Sequence, residues 1–202
     1  IARWDGSAWH PLGSGVDNIV RAIVIDGGNV YVAGQFSHAG GVAASGVARW
    51  DGSAWHPLGL GMNGIVYALG TYGGELYAGG LFTTAGGTPA LNIARWNGSA
   101  WSALGSGMNS YVFAFAERAG ALIAAGDFTT ADGVAANRVA SFDGAAWSPL
   151  GSGLDSYVLA LTVSGGDLVA GGNFVHAGGA NANRIARWDG SSWSALGDGM
   201  NN

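Results

Sequence analysis

The side chains able to exchange protons near neutral pH are few and recur at fixed spacing. The 202-residue chain carries four His, thirteen Asp or Glu and eight Lys or Arg, all eight of them Arg. His38 and His176 occupy a loop position where other copies carry Thr84 and Thr130. A second polar position holds Asp17, Asn63, Asn109 and Asp155, each preceded by an apolar residue such as Val16, Met62, Met108 or Leu154. Repeated Asn or Asp beside apolar or aromatic surface suits a shallow sugar site, and repetition would add avidity. These eight residues are the candidate ligand-binding set. The same residue types serve equally as turn Asx residues and buried anchors.

Other constellations carry less. His10 and His56 follow a Trp at a position where other copies have Ser102, Ser148 and Ser194, and two histidines without a shared carboxylate fall short of a zinc site. Asp5, Asp51, Asp143 and Asp189 each precede a Gly, and Asn97 fills the same place without charge, so a turn role explains them. Asp127 and Asp132 form a pair too sparse in oxygen ligands for a calcium loop. No GxSxG, HExxH or phosphate loop occurs, Lys is absent as a base, and zero Cys removes thiolate nucleophiles, disulfides and thiolate metal sites. No catalytic residue, metal or cofactor is expected, and the chain is read as non-enzymatic.

Composition narrows the partners. A formal charge of −5 with no basic stripe argues against nucleic acid. No apolar run approaches the ~18 residues of a membrane span, so no membrane insertion is expected. The first residue is Ile1 rather than Met, which points to a processed, excised or engineered chain.

What must position the candidate residues is a repeat. ARWDGSAW at Ala2 returns at Ala48, as ARWNGSAW at Ala94, ASFDGAAW at Ala140 and ARWDGSSW at Ala186, each step 46 residues. The units are 2–47, 48–93, 94–139 and 140–185, with a partial copy at 186–202, all within one domain spanning 1–202. Within a unit, short β-branched or aromatic segments bounded by turn residues predict four strands: near Arg21–Ile25, Val30–Phe36, Val47–Trp50 and Trp55–Leu58. Gly-containing turns such as Asp26-Gly27-Gly28 separate the first two, and Asp-Gly or Asn-Gly the last two. Phe36, Phe82, Phe128 and Phe174 share one register and are expected to pack between units, while Arg3, Arg49, Arg95 and Arg187 are expected to bond neighbouring backbone or Asp. Unit 140–185 should deviate most, because Ser141 and Phe142 replace Arg and Trp. The expected fold is all-β, a β-propeller of four-stranded antiparallel blades.

The glycine-bearing second strand, aromatic third strand and Trp opening the fourth resemble kelch repeats and the galactose-oxidase type of propeller. The kelch doublet matches Gly79-Gly80 and Gly171-Gly172, whereas Ala33-Gly34 and Ala125-Gly126 keep only its second glycine. The kelch Tyr falls on Trp4, Trp50, Trp96, Phe142 and Trp188, and the later Trp on Trp9, Trp55, Trp101, Trp147 and Trp193. The chain is still more similar to tandem WDG-type repeats of large secreted bacterial proteins and to the propeller region of fungal cortical cell-polarity markers. The resemblance implies the propeller fold rather than an activity, and an extracellular or cell-surface setting is expected; the Tyr-Cys copper chemistry of galactose oxidase is excluded by the absence of Cys.

The strand count leaves one question. The chain opens with a third and fourth strand and then runs through four complete sets, giving eighteen strands and an unpartnered opening hairpin. Self-association, a dimer pooling eight blades, is the expected resolution. Function then divides between a binding scaffold for a glycan or protein, facing its ligand with the loops after strands two and four, and a structural repeat without a ligand.

Overall fold

A computed structural model describes residues 1–201. Among them there is no helix, and four antiparallel four-stranded sheets follow one another along the chain. The first contains Val20–Asp26, Asn29–Gly34, Val47–Trp50 and Trp55–Pro57 in spatial order; the second Ile65–Tyr72, Glu75–Leu81, Ile93–Trp96 and Trp101–Ala103. The third contains Val112–Arg118, Ala121–Gly126, Val139–Phe142 and Trp147–Pro149; the fourth Val158–Ser164, Asp167–Gly172, Ile185–Trp188 and Trp193–Ala195. Ahead of them, Ala2–Trp4 and Trp9–Pro11 form a hairpin that belongs to none of the four. First strands of consecutive sheets pack on one another, and the buried clusters join each sheet to the next. Phe36, Phe82, Phe128 and Phe174 are buried in those clusters.

The turns explain the strand order. Asp26 pairs with Asn29, so Gly27 and Gly28 are the whole connection, and both have positive φ (54° and 81°). That is the backbone a two-residue hairpin requires for strands of right-handed twist. The hairpin between third and fourth strands is longer than the sequence suggests. Trp50 pairs with Trp55, leaving the four residues Asp51–Ala54 as its loop. Asp51 Oδ1 accepts bonds from the Ser53 and Ala54 amides, each at 2.8 Å, and the Asp51 amide donates to the Ala54 carbonyl at 3.2 Å, so the carboxylate and one backbone bond together close the chain. The opposing tryptophans are in ring contact, with centroids 5.4 Å apart.

The sequence reading also missed a short ladder in the loop after each second strand. His38–Ala39 pairs with Val42–Ala43, and the other units repeat it at Thr84–Ala85 with Thr88–Pro89, Thr130–Ala131 with Val134–Ala135, and His176–Ala177 with Ala180–Asn181. Two-residue strands have no periodicity to read. Each ladder is fastened to the preceding loop through a bridge such as Val16 to Ala39.

One directed bond between neighbouring units recurs at the Trp that opens the fourth strand. Trp55 Nε1 donates to the Leu12 carbonyl at 2.8 Å, Trp101 to Leu58 at 2.9 Å and Trp193 to Leu150 at 2.8 Å, all buried. Trp147 Nε1 is buried without a partner. Its sheet carries Phe142 where the others have Trp, and Asp132, at φ 48°, where they have Gly40, Gly86 and Gly178. The Asp132 carboxyl fills the space over Gly105 that a Trp ring covers in the other units. Unit 140–185 thus differs locally at Phe142 and Trp147, and the preceding unit differs at Asp132.

Candidate functional site

The structure brings the eight candidate residues together in four pairs, one per unit. Asp17 Oδ1 accepts the amides of Ser37 (2.8 Å) and His38 (3.0 Å), and its Oδ2 lies 2.7 Å from the Ser37 hydroxyl and 3.0 Å from His38 Nδ1. Asn63 Oδ1 accepts the amides of Thr83 and Thr84, both at 2.9 Å, while its Nδ2 donates to Thr83 Oγ1 at 2.8 Å. Asn109 repeats this with Thr129 and Thr130. Asp155 accepts the amides of Val175 and His176 and lies 2.7 Å from His176 Nδ1. Each pair clamps the loop after strand four to the loop after strand two. Asp faces His and Asn faces Thr, so the ring nitrogen supplies the donor that the amide otherwise supplies for itself.

Two of the clamps are built on a carboxylate. The Ser37 hydroxyl and the His38 amide hold Asp17 well below the usual carboxylate range. At Asp155, partial desolvation acts upward but is outweighed by the bonds from the His176 ring and the His176 and Val175 amides, and the pKa is lowered. The lone pairs a ligand would use are thus largely engaged within the clamps themselves.

The remaining polar candidates have local partners. His10 and His56 each lie 2.6 Å from the carboxylate of their own hairpin, Asp5 and Asp51. The amide of Ala8, then the amide and hydroxyl of Ser7 and the ring of His10, hold Asp5 below its usual range. Asp127 pairs with Arg138 at 2.9 Å, whereas Asp132 accepts the Ser106 amide at 2.6 Å, so those two carboxylates serve different neighbours. Among the described residues no group of three or more His, Cys, Asp or Glu converges. Arg95 pairs with Glu75 at 3.3 Å and Arg187 with Asp167 at 3.2 Å. Where Ser141 replaces the Arg, Ala121 replaces the carboxylate opposite.

What the sequence reading missed lies on the first strands. Each contains a bulge that leaves Arg21, Tyr67, Phe113 or Leu159 without a partner in the ladder. A bulge re-aims its side chain, and here the re-aimed groups meet across sheets. The Arg21 guanidinium lies over the Tyr67 ring at 5.1 Å, Tyr67 meets Phe113 edge-on at 5.2 Å, and Phe113 stacks on Tyr111 at 5.5 Å and reaches Tyr157 at 6.4 Å. Tyr67, Tyr111, Phe113 and Tyr157 are half-buried, and each lies four residues or fewer beyond a clamp residue. Aromatic residues in the first half of strand one were the available signal. Nearby, a cleft of about 330 Å³ is bordered by Asn137, Arg138, Ser152, Asp155 and His176.

No protein-family model matches the chain, and no curated protein matches it. Among solved structures, the chain is similar to the computationally designed Ika8 protein, with a TM-score of 0.55 and 15% identity, covering 90% of this chain and 62% of that one. The chain thus spans less than two thirds of the design's length. At this identity the likeness concerns fold alone, an all-β series of repeated four-stranded sheets.

Proposed function

We propose that the protein is a non-enzymatic repeat propeller that acts as a binding scaffold, taking a glycan or protein ligand on the loop rim. The observation that carries this reading is the row of half-buried aromatic rings that follows the clamp residues, Tyr67 and Phe113 at the recurring bulge and Tyr111 and Tyr157 just ahead of it. Aromatic faces supply large contact area at low conformational-entropy cost, and the clamps hold the adjoining loops rigid before any ligand arrives. Sugar rings present apolar C–H faces flanked by hydroxyls, which fits rings bordered by Asn, Thr and the polar cleft at Asp155. The kinship with kelch and WDG-type repeats and an extracellular or cell-surface setting belong to the same reading. The engagement of the Asp17, Asn63, Asn109 and Asp155 side chains in their own clamps favours a second reading, a structural repeat without a ligand.

A glycan array probed with the full chain, followed by NMR shift mapping with any glycan that binds, tests both. The expected result is shifts at Tyr67, Tyr111 and Phe113 and in the loops at Asn109 and Asp155. Shifts confined to the Asp-Gly hairpins overturn the rim assignment. Failure to bind any glycan or peptide presented favours the second reading.

A further inference from the structure

Asn is followed by Gly at two places, Asn63-Gly64 and Asn97-Gly98. In such a pair the Gly amide nitrogen is able to attack the Asn side-chain carbonyl, because no Cβ on the Gly hinders the approach. The structure puts the two pairs in opposite surroundings. Asn63 is held at both atoms of its amide: Oδ1 accepts the Thr83 and Thr84 amides, and Nδ2 donates to Thr83 Oγ1. Gly64 is half-buried, and a Cβ on it would collide with the Leu81 carbonyl. Its nitrogen has little room to swing toward the Asn63 side chain.

Asn97 heads the exposed loop that joins Trp96 to its partner Trp101. Its Oδ1 accepts the Ser99 amide at 3.0 Å, the Ser99 hydroxyl at 2.9 Å and the Ala100 amide at 2.9 Å. These are donors placed where negative charge would gather if the side-chain carbonyl were attacked. Among the described residues neither Asn97 Nδ2 nor the Gly98 N–H has a partner, so both the leaving group and the nucleophile are unencumbered. Gly98 has φ +96° and nothing within 4 Å of where a Cβ would stand, whereas Tyr72 and Arg118 of the preceding sheet lie over the matching Gly144 and Gly190. The other four copies of this hairpin carry Asp in place of Asn97. The amides three and two residues on hold those carboxyls below the usual carboxylate range, and an ionised carboxylate resists a nitrogen nucleophile.

We propose that Asn97 is a site of spontaneous covalent modification, converting to isoaspartate and aspartate through a cyclic imide with water as the only co-reactant. The Gly98 nitrogen gives up its proton to hydroxide and bonds to Asn97 Cγ. Charge collects on Oδ1, where the Ser99 and Ala100 donors meet it. The Cγ–Nδ2 bond then breaks, and with a proton from water the nitrogen leaves as ammonia. Water next opens the ring on one side or the other. Cleavage between the Gly98 nitrogen and Cγ gives aspartate, the residue of the other four copies. Cleavage between that nitrogen and the main-chain carbonyl carbon of residue 97 gives isoaspartate, in which the chain runs through Cβ and Cγ. Oδ1 then becomes a main-chain oxygen and no longer closes the loop onto Ser99 and Ala100. This chemistry does not depend on what, if anything, the rim binds.

The folded full chain is kept in heavy-oxygen water at mildly alkaline pH, digested and read by mass spectrometry, with isoaspartate counted by methyl transfer from an isoaspartyl methyltransferase. The expected result is one heavy oxygen and methyl labelling at residue 97, with Asn63 unchanged over the same period. Ser99→Ala removes one donor from a hairpin position that Ala145 fills in another unit; it is expected to slow conversion at 97 severalfold in the folded chain. In urea, parent and variant should convert alike, and Asn63 should convert as well. Persistence of Asn97 in the folded chain overturns the proposal, and so does equal conversion of Asn63 and Asn97. A folded Ser99→Ala chain that converts as fast as the parent overturns the part given to the hairpin donors.

Discussion

Trp101→Phe and Trp147→Phe form an informative pair, because of two tryptophans at one repeat position one indole N–H has an acceptor and the other has none. Both indoles are buried to a similar degree. Trp101 donates to the Leu58 carbonyl at 2.9 Å, and Trp147 has no acceptor. Replacing indole by phenyl removes on the order of 40 Å² of apolar contact, about 1 kcal/mol at 25 cal/mol per Å². At position 101 the lost hydrogen bond adds a net of about 1 kcal/mol. The Leu58 carbonyl keeps the Gly61 amide at 3.2 Å and is not orphaned, so the total is about 2 kcal/mol. At position 147 the substitution also deletes a buried unpaired N–H, which relieves about 1 to 3 kcal/mol and offsets the lost contact. Urea unfolding should show a lower midpoint at unchanged slope for Trp101→Phe and a midpoint near that of the parent chain for Trp147→Phe. Equal losses, or a larger loss at 147, would refute the assignment of inter-sheet stability to the indole bond.

Gly40→Ala should destabilise by about 2 kcal/mol or more, since φ is +62° and a Cβ would lie 2.9 Å from Trp55; Gly41→Ala, also at positive φ but in open space, should cost about 1 kcal/mol, and comparing their thermal midpoints checks the difference. The lowered pKa of Asp17 makes its clamp fully stabilising above the ordinary carboxylate value of 3.8, and that contribution is lost as pH falls through the lower folded-state pKa. Thermal unfolding of the parent chain and Asp17→Asn should therefore differ most at neutral pH and converge in strong acid; a gap that widens on acidification would contradict this. Arg187→Ala removes a half-exposed ion pair with Asp167 and should shift stability by less than about 1 kcal/mol, read from the same urea curves.

The 46-residue period, the strand class and the Asp-Gly hairpins were legible because each rests on local chemistry. Alternating apolar residues mark a strand, and an Asx before Gly marks a turn wherever it stands. The pairing of Asp17 with His38, or Asn63 with Thr84, was half visible: both positions stood out, and the up-and-down strand order put them on one rim. That they clamp each other required knowing the path of the hairpin of about twenty residues, strands one and two, between them. The bulge row had only its aromatic composition as a signal, since a residue is unpaired only with respect to the register of a partner strand.

The chain's amino-acid order by itself determined that this is a repeated all-β protein, which residues close its tight turns, and that Cys and Lys chemistry are absent. Only the tertiary structure decided that Trp55 Nε1 finds the Leu12 carbonyl 43 residues away, that Asp132 substitutes for a tryptophan ring over Gly105, and that Ile23 is left uncovered while Leu69 is not. The physical reason is distance along the chain. Turns and strand periodicity are set by neighbours within a few residues, whereas burial and buried hydrogen bonds depend on which sheet comes to lie beside which. Identical residues such as Trp9 and Trp55 therefore have different surroundings in one molecule.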